Sequence, residues 1–173
     1  AATGIGTQHG GILVDFNAVK GGIEIIPLDN DWQKAAHVYS DEVLISHRTD
    51  AEKGTPKFER GKSLSDYQCE MIYISGTAAI RGEESIVTGD VLVQTEITLE
   101  NIQHLIGLEE GREKLPEHSG KLELLRVYLK HEEDAKIVKE DMDKLCPDVP
   151  IVYLYADVCR EELLVEIEGI AYL

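Results

Sequence analysis

The chain has 173 residues, a hydrophobic fraction of 43% and a formal net charge of −16 at pH 7, which suits one well-buried core better than two small domains. So acidic a chain has no Lys/Arg cluster able to neutralise a run of phosphates. This excludes nucleic acid as a partner, while leaving room for a small anion held by a few local arginines.

Cys69, Cys146 and Cys159 are odd in number and show no CxxC spacing. With no signal-peptide pattern and no apolar run of membrane-spanning length, the expectation is a reduced cytoplasmic protein without disulfides, structural zinc or membrane contact. The six histidines show no metal-ligand spacing. His37, His47 and His104 are expected at the surface or in packing roles, with no metal and no cofactor. A chain opening on Ala1-Ala2-Thr3-Gly4 without Met is expected to be processed or to be the ordered part of something longer.

Residues 1–11 are too glycine-rich for a helix. They read as an entry loop or hairpin, or more weakly as a phosphate cradle, since no Lys or helix follows. Ile12–Asn17 and Ile23–Leu28 read as strands joined through Lys20-Gly21-Gly22 in a hairpin-type turn. Residues 29–66 are mixed and polar, with an apolar stretch at Val43–Ser46. Glu70–Ser75 is a compact strand, and the small residues Gly76-Thr77-Ala78-Ala79 after it imply close backbone approach, to a strand or to a ligand. Arg81 fits either a turn or a site.

Thr88-Gly89-Asp90 caps a helix running to about Ile106, with Val91, Thr95, Leu99, Ile102 and Leu105 on the helical period. Residues 109–120 form an acidic loop. Leu122–Lys130 is a strand, and Glu132–Leu145 an amphipathic helix with Ala135, Val138, Met142 and Leu145 inward and a solvated charged face. Pro147 and Pro150 close it.

The last stretch reads as two strands around a polar connection, Asp157 to Glu162. In the second strand Leu163, Val165, Ile167 and Gly169 face one side, and Leu164, Glu166, Glu168 and Ile170 the other. Glu166 between large apolar neighbours is either at a solvated edge or partly desolvated. Desolvation would raise its pKa, which keeps a carboxylic acid protonated near neutral pH. Glu168 shares its face, and two close carboxylates raise one another's pKa. Cys159 and Arg160 sit just before, on the connection. The whole predicts an α+β fold, a mixed sheet with two helices packed on one face, preceded by an N-terminal β-hairpin extension over 1–57. The uncovered face implies a homo-oligomer or a further domain.

Ile74-Ser75-Gly76-Thr77, Gly89-Asp90, Gln94-Thr95, Leu99-Glu100-Asn101-Ile102 and the closing Leu164–Ala171 resemble the Rid/YjgF/UK114 superfamily, the reactive intermediate deaminases also called the L-PSP endoribonuclease family. That likeness covers about residues 58–171 and implies a trimer. A closer resemblance is to the chorismatases, which cleave chorismate to pyruvate plus a cyclohexadiene diol or a hydroxybenzoate. It is carried by Ala2–Thr7, Phe58–Gly61, Ser75–Ala78, Leu125–Leu129 and Asp157–Gly169, in one order along nearly the whole chain. Two departures stand out. Chorismatases carry another domain of comparable size before this region. And the arginine that grips the substrate carboxylate in the deaminases, due near Ile151, is missing.

The chorismatase resemblance implies catalysis by Glu166, at the position of the proton donor, with Cys159 matching the cysteine of members that make a hydroxybenzoate. A neighbouring Arg is expected to favour its thiolate. Arg160, then Arg60, with Gly76 and Thr77, are the expected substrate-binding residues, since guanidinium groups pair well with carboxylates. The expected ligand is a small anionic carboxylic acid. The alternatives are an imine deaminase of Rid type and a non-catalytic oligomer that binds a small carboxylate.

Overall fold

The computed structural model describes residues 1–6, 14–44, 54–66, 70–107 and 121–172. Apolar residues alternate along three of its strands and recur at helical spacing in two segments. The chain accordingly folds as one mixed sheet with two helices on one face. In chain order the strands are β1 (Glu24–Leu28), β2 (Gly61–Ser65), β3 (Glu70–Thr77), β4 (Ile80–Arg81), β5 (Glu84–Ser85), β6 (Lys121–Leu129), β7 (Ile151–Tyr155) and β8 (Val165–Tyr172); the helices are α1 (Val91–Leu105) and α2 (Ala135–Leu145). The main sheet has six strands in the order β1-β2-β3-β8-β6-β7, and β4 and β5 form a small ribbon of their own. Every pairing in the main sheet is antiparallel except β6 with β7. That one is parallel because α2 carries the chain back over the sheet between them, as a parallel pair requires.

The core lies between helices and sheet. Ile72 and Ile74 of β3, Leu125, Val127 and Leu129 of β6, and Val165, Ile167 and Ala171 of β8 meet Leu99 and Ile102 of α1 and Val138 and Met142 of α2. The period of two then places Arg126, Tyr128, Glu166 and Glu168 on the opposite, helix-free face. β8 is central, between β3 and β6, so its Glu166 is flanked by strands on both sides. Gly169 lets β6 come that close. A Cβ there would stand 2.6 Å from the Leu124 carbonyl oxygen and 2.7 Å from Leu125 Cδ2. Gly169→Ala is expected to cost about 2 kcal/mol, roughly a 5 °C fall in Tm by differential scanning calorimetry. An unchanged Tm would show that the β6–β8 spacing yields.

Asp90 caps α1 as its position predicts, Oδ1 accepting from the amides of Leu92 (2.9 Å) and Val93 (3.4 Å). α1 also buries polar side chains toward the site loops. Gln94 donates to the Glu162 carbonyl (3.0 Å) and accepts from the Leu164 amide (2.8 Å), and Asn101 donates to the carbonyls of Ala78 and Ile80. One helix thus fixes the connection leading into β8 and the turn leaving β3.

Three details depart from the sequence reading. The Gly21–Gly22 turn exists, with φ of 54° and 74°, but it does not close a hairpin. Residues 14–17 are not a strand, and β1 pairs instead with β2, whose Leu64 and Lys62 lie opposite Ile25 and Pro27; Ile12 and Leu13 lie outside the described residues. The two last strands are not neighbours, because β6 inserts between β7 and β8. Leu145, expected inward, is 44% exposed as the last residue of α2; the helix itself is preceded by a 3-10 turn, Glu132–Asp134. Of Val43–Ser46, Leu44 is buried, and the last two residues lie outside the described set, as does the 109–120 loop.

Candidate active site

Glu166 is buried, 6% exposed, on the helix-free face of β8. Its seat is made by a β-bulge. The β3–β8 register shifts between Ile74 and Thr77, and the Gly76 backbone swings against the Glu166 carboxyl. A Cβ on Gly76 would overlap Glu166 Oε1 and stand 2.8 Å from Thr3 Cγ2. The entry segment closes the other side, as the Gly76 amide donates to Thr3 Oγ1 (2.8 Å) and to the Ala2 carbonyl (3.3 Å). Further along, the Gly6 amide bonds the Asp157 carbonyl (2.9 Å). The glycine-rich start of the chain is therefore part of the site wall.

Burial pushes the Glu166 carboxyl up to about 7, and the nearby Glu168 carboxylate adds to the rise. This is the desolvated alternative, produced by taking the charged form out of water with a like charge beside it. Glu168, unlike Glu166, has hydrogen-bond partners among the described residues. Arg126 Nη1 and the Tyr128 hydroxyl both donate to its Oε1 at 2.7 Å. On the facing strand Tyr128 stands opposite Glu166, and Arg126 opposite Glu168. Burial and the Glu168 carboxylate push the Tyr128 phenol up, so it stays protonated and able to donate.

A cavity of about 900 Å³ opens on this face, lined by Arg126, Tyr128, Glu168, Tyr73, Ile170 and residues of the entry segment. Phe16 and Val19 stand over it. Arg126 and Glu168 thus stand paired in the wall of this cavity, two residues along β8 from buried Glu166.

The other expected site residues are distributed differently. Cys159 reaches the surface, yet crowding of its sulfur by protein atoms, and then the Glu166 carboxylate, push the thiol up against the opposing pull of Arg160. The expected thiolate is therefore disfavoured: desolvation and a like charge outweigh one cation. Arg160 is buried and turned to the β5 side, donating to the Glu83 carbonyl (2.8 Å) and Ser85 Oγ (3.0 Å). It lines a separate cavity of about 300 Å³ with Glu42, Glu84 and Glu162. Arg60, also buried, donates to the Lys34 carbonyl (2.6 Å) and to the Tyr39 hydroxyl. Both guanidinium groups lie over the Tyr39 ring, at 5.7 Å for Arg60 and 5.5 Å for Arg160. Thr77 is buried, its hydroxyl donating to the Ser75 carbonyl (2.9 Å). The structure thus seats Glu166 against Gly76 and brings Arg60 and Arg160 together over Tyr39, with Cys159 near enough to both Glu166 and Arg160 to feel their charges.

Arg81 pairs with Glu100 (2.6 Å) and lies over the Trp32 ring at 4.7 Å, and that ring stacks on buried His104. It acts as a clamp between the 29–34 segment and α1. His37 is exposed, whereas His47 and Cys69 lie outside the described residues. Among the described residues no group of three His, Cys, Asp or Glu could hold a metal ion, and no helix is long and apolar enough to cross a membrane.

A chorismatase from Streptomyces rapamycinicus is 34% identical over 178 residues, spanning 98% of this chain and 50% of the relative. A 3-hydroxybenzoate synthase from Streptomyces hygroscopicus is 33% identical, again over 98% of this chain and 50% of the relative. This chain is a homologue of the chorismatases. It spans about half the length of these relatives. The crystal structure of a chorismatase superposes with a TM-score of 0.69 at 30% identity, covering 85% of this chain and 43% of that one. The Escherichia coli YjgF gene product shares the fold, with a TM-score of 0.56 at 15% identity over 84% of this chain and 97% of its own. No family model matches the sequence.

In this chorismatase homologue the pair Arg126 and Tyr128 escaped the sequence reading as site residues. The signal was present. Alternation in Leu124-Leu125-Arg126-Val127-Tyr128 puts a cation and a phenol on the polar face of a strand otherwise built for the core. What the sequence lacked was the strand order that sets them opposite Glu166 and Glu168.

Proposed function

We propose that this chain carries chorismatase-type chemistry, cleaving the enolpyruvyl ether of chorismate to pyruvate and a ring alcohol. The observation that carries the reading is Glu166, a buried carboxyl raised to about 7 on the face that bears the cavity. Hydrolysis of a vinyl ether begins with a proton on its methylene carbon, and an acid titrating near neutral pH is matched to that step. In this scheme Glu166 gives its proton to the methylene carbon, and the electron pair of the double bond forms the new C–H bond. The resulting oxocarbenium ion lies beside the Glu166 carboxylate, which opposes its positive charge. Water adds to the adjacent cationic carbon, the one that carries the ether oxygen, and returns a proton to Glu166. The hemiketal then collapses, breaking the bond to the ring oxygen, which leaves as the alcohol with pyruvate as the other product.

Cys159, near the Glu166 carboxylate and protonated, is placed in this reading at the ring end of the substrate, where it would bear on the product formed. Residues 1–57 are read as an extension of the 58–173 domain, wrapping the site and adding β1 to the sheet. The helix-free face also exposes Ile25, Val152, Leu154 and Tyr172, which supports self-association or a further domain across it.

The test is to incubate the protein with chorismate and follow pyruvate through a coupled dehydrogenase. One pyruvate per chorismate is expected, with the rate falling as the pH rises above about 7, because the donor form of Glu166 is lost. Saturable chorismate binding with no pyruvate would move the reading to a carboxylate-binding module.

A further inference from the structure

The two arginines that resemblance singles out are poorly placed to meet a ligand in the cavity on the helix-free face. Arg60 and Arg160 are 3% and 7% exposed, both donate to backbone carbonyls, and neither lines the cavity of about 900 Å³. The arginine that does line it is Arg126. Its side chain is 41% exposed, and among the described residues its hydrogen-bond partner is Glu168, through Nη1 at 2.7 Å. A guanidinium has five N–H donors in a rigid fork, so one anchored corner leaves others to face the cavity.

We infer that Arg126 is the cation that receives a ligand carboxylate in this chain, and that the cavity over β3, β8 and β6 takes a ring bearing that carboxylate. The inference rests on the chorismatase-type reading for the choice of ligand. Three observations support it. Arg126 is held rather than free, since Glu168 is itself fixed by the Tyr128 hydroxyl on the same oxygen, and a fixed guanidinium loses less freedom on binding. The walls suit a ring, because Tyr73, Tyr128 and Tyr155 line the cavity with Phe16, and aromatic faces pack well against a flat ligand. And Arg126 faces Glu168 two residues from Glu166 on β8, with Tyr128 of the cavity wall opposite Glu166, so a carboxylate on Arg126 lies in the neighbourhood of the proposed acid. Asp15 and Glu168 face the same guanidinium and oppose a second anion, whereas Lys62, the other cation of the cavity, is paired with Glu59 at 3.2 Å. Binding is therefore expected to depend on Arg126 above the other cations.

The measurement is calorimetric titration of 3-hydroxybenzoate, a carboxylate-bearing ring that needs no turnover, into the wild-type protein and into Arg126→Gln and Arg126→Lys. Arg126 is part-exposed, and an unchanged Tm would show that each variant is folded. Losing a charge-assisted pair is expected to weaken binding roughly tenfold to a hundredfold in Arg126→Gln. Arg126→Lys is expected to recover part of the loss, since the charge is kept and the fork is not. Equal affinity in wild type and Arg126→Gln, or no saturable binding by the wild type, overturns the assignment. Because the readout is affinity, absence of pyruvate release would overturn the hydrolase reading while leaving this result to stand or fall by itself.

Discussion

Glu166→Gln is expected to lower pyruvate release from chorismate roughly a thousandfold while leaving the fold intact, the middle of the range for losing a general acid. Glutamine keeps the shape and the amide can sit against Gly76, but it has no proton to give to a carbon. The substitution also reports on stability. In the folded chain the Glu166 carboxyl is raised to about 7 from an ordinary value of 4.5. Between those two values the native state holds more protons than the unfolded state, so stability falls as the pH rises through that window and levels off above about 7. The difference is on the order of 3 kcal/mol, and Gln, never charged, escapes it. Glu166→Gln is therefore expected to be more stable than wild type at pH 8 and to lose much of the slope between pH 5 and 7, read by denaturant unfolding at each pH. A variant with full activity would remove Glu166 from the mechanism. A variant with an unchanged slope would show that the carboxyl is ionised at neutral pH after all.

Gly76→Ala is the second large effect. The methyl group would occupy the place of Glu166 Oε1 and press on Thr3 Cγ2. The carboxyl can turn away only by leaving the bulge, and the entry segment can yield only by giving up the Gly76–Thr3 and Gly76–Ala2 hydrogen bonds. Moving a catalytic group by about 1 Å costs on the order of a hundredfold in rate, and overpacking costs about 1–3 kcal/mol. Loss of pyruvate release at least a hundredfold, with a Tm lowered by several degrees, is the expected pair of results. Near-wild-type activity would mean that the carboxyl works from another rotamer. Gly76, expected to bind substrate, here has its amide bonded to the entry segment and by its missing side chain makes room for the acid.

Much of this site could be read along the chain. The apolar neighbours of Glu166, its place one repeat before Glu168, and the small residues from Gly76 to Ala79 all carry local meaning: alternation assigns faces, and missing side chains mark close approach. The Asp90 cap and the two helices follow from the same local rules. The hairpin expected over 12–28 shows where these rules stop. A glycine turn between two apolar runs specifies a reversal of the chain, but the edge of β2 competed for the second run, and only the whole sheet decides which pairing forms. The thiolate expected at Cys159 failed for a related reason. Adjacency to Arg160 in sequence says nothing of how far the fold buries the sulfur or that it sets Glu166 near it, and these two effects outweigh the pull of Arg160.

The sequence by itself determined the two helices and the main-sheet strands from residue 70 onward (though not the β4–β5 ribbon), the face of β8 on which Glu166 lies, and its resemblance to the chorismatases, because each depends on the order and spacing of residues along one segment. Only the tertiary structure decided that β8 lies between β3 and β6, that the entry segment closes over Glu166, and that Arg126 shares the cavity while Arg60 and Arg160 converge on Tyr39. Those outcomes join residues far apart in numbering, from 21 positions for Tyr39 and Arg60 to 73 for Thr3 and Gly76 and more across the sheet. They are selected by which packing of the whole sheet buries the most apolar surface and leaves the fewest polar groups without partners, and no local pattern encodes that choice.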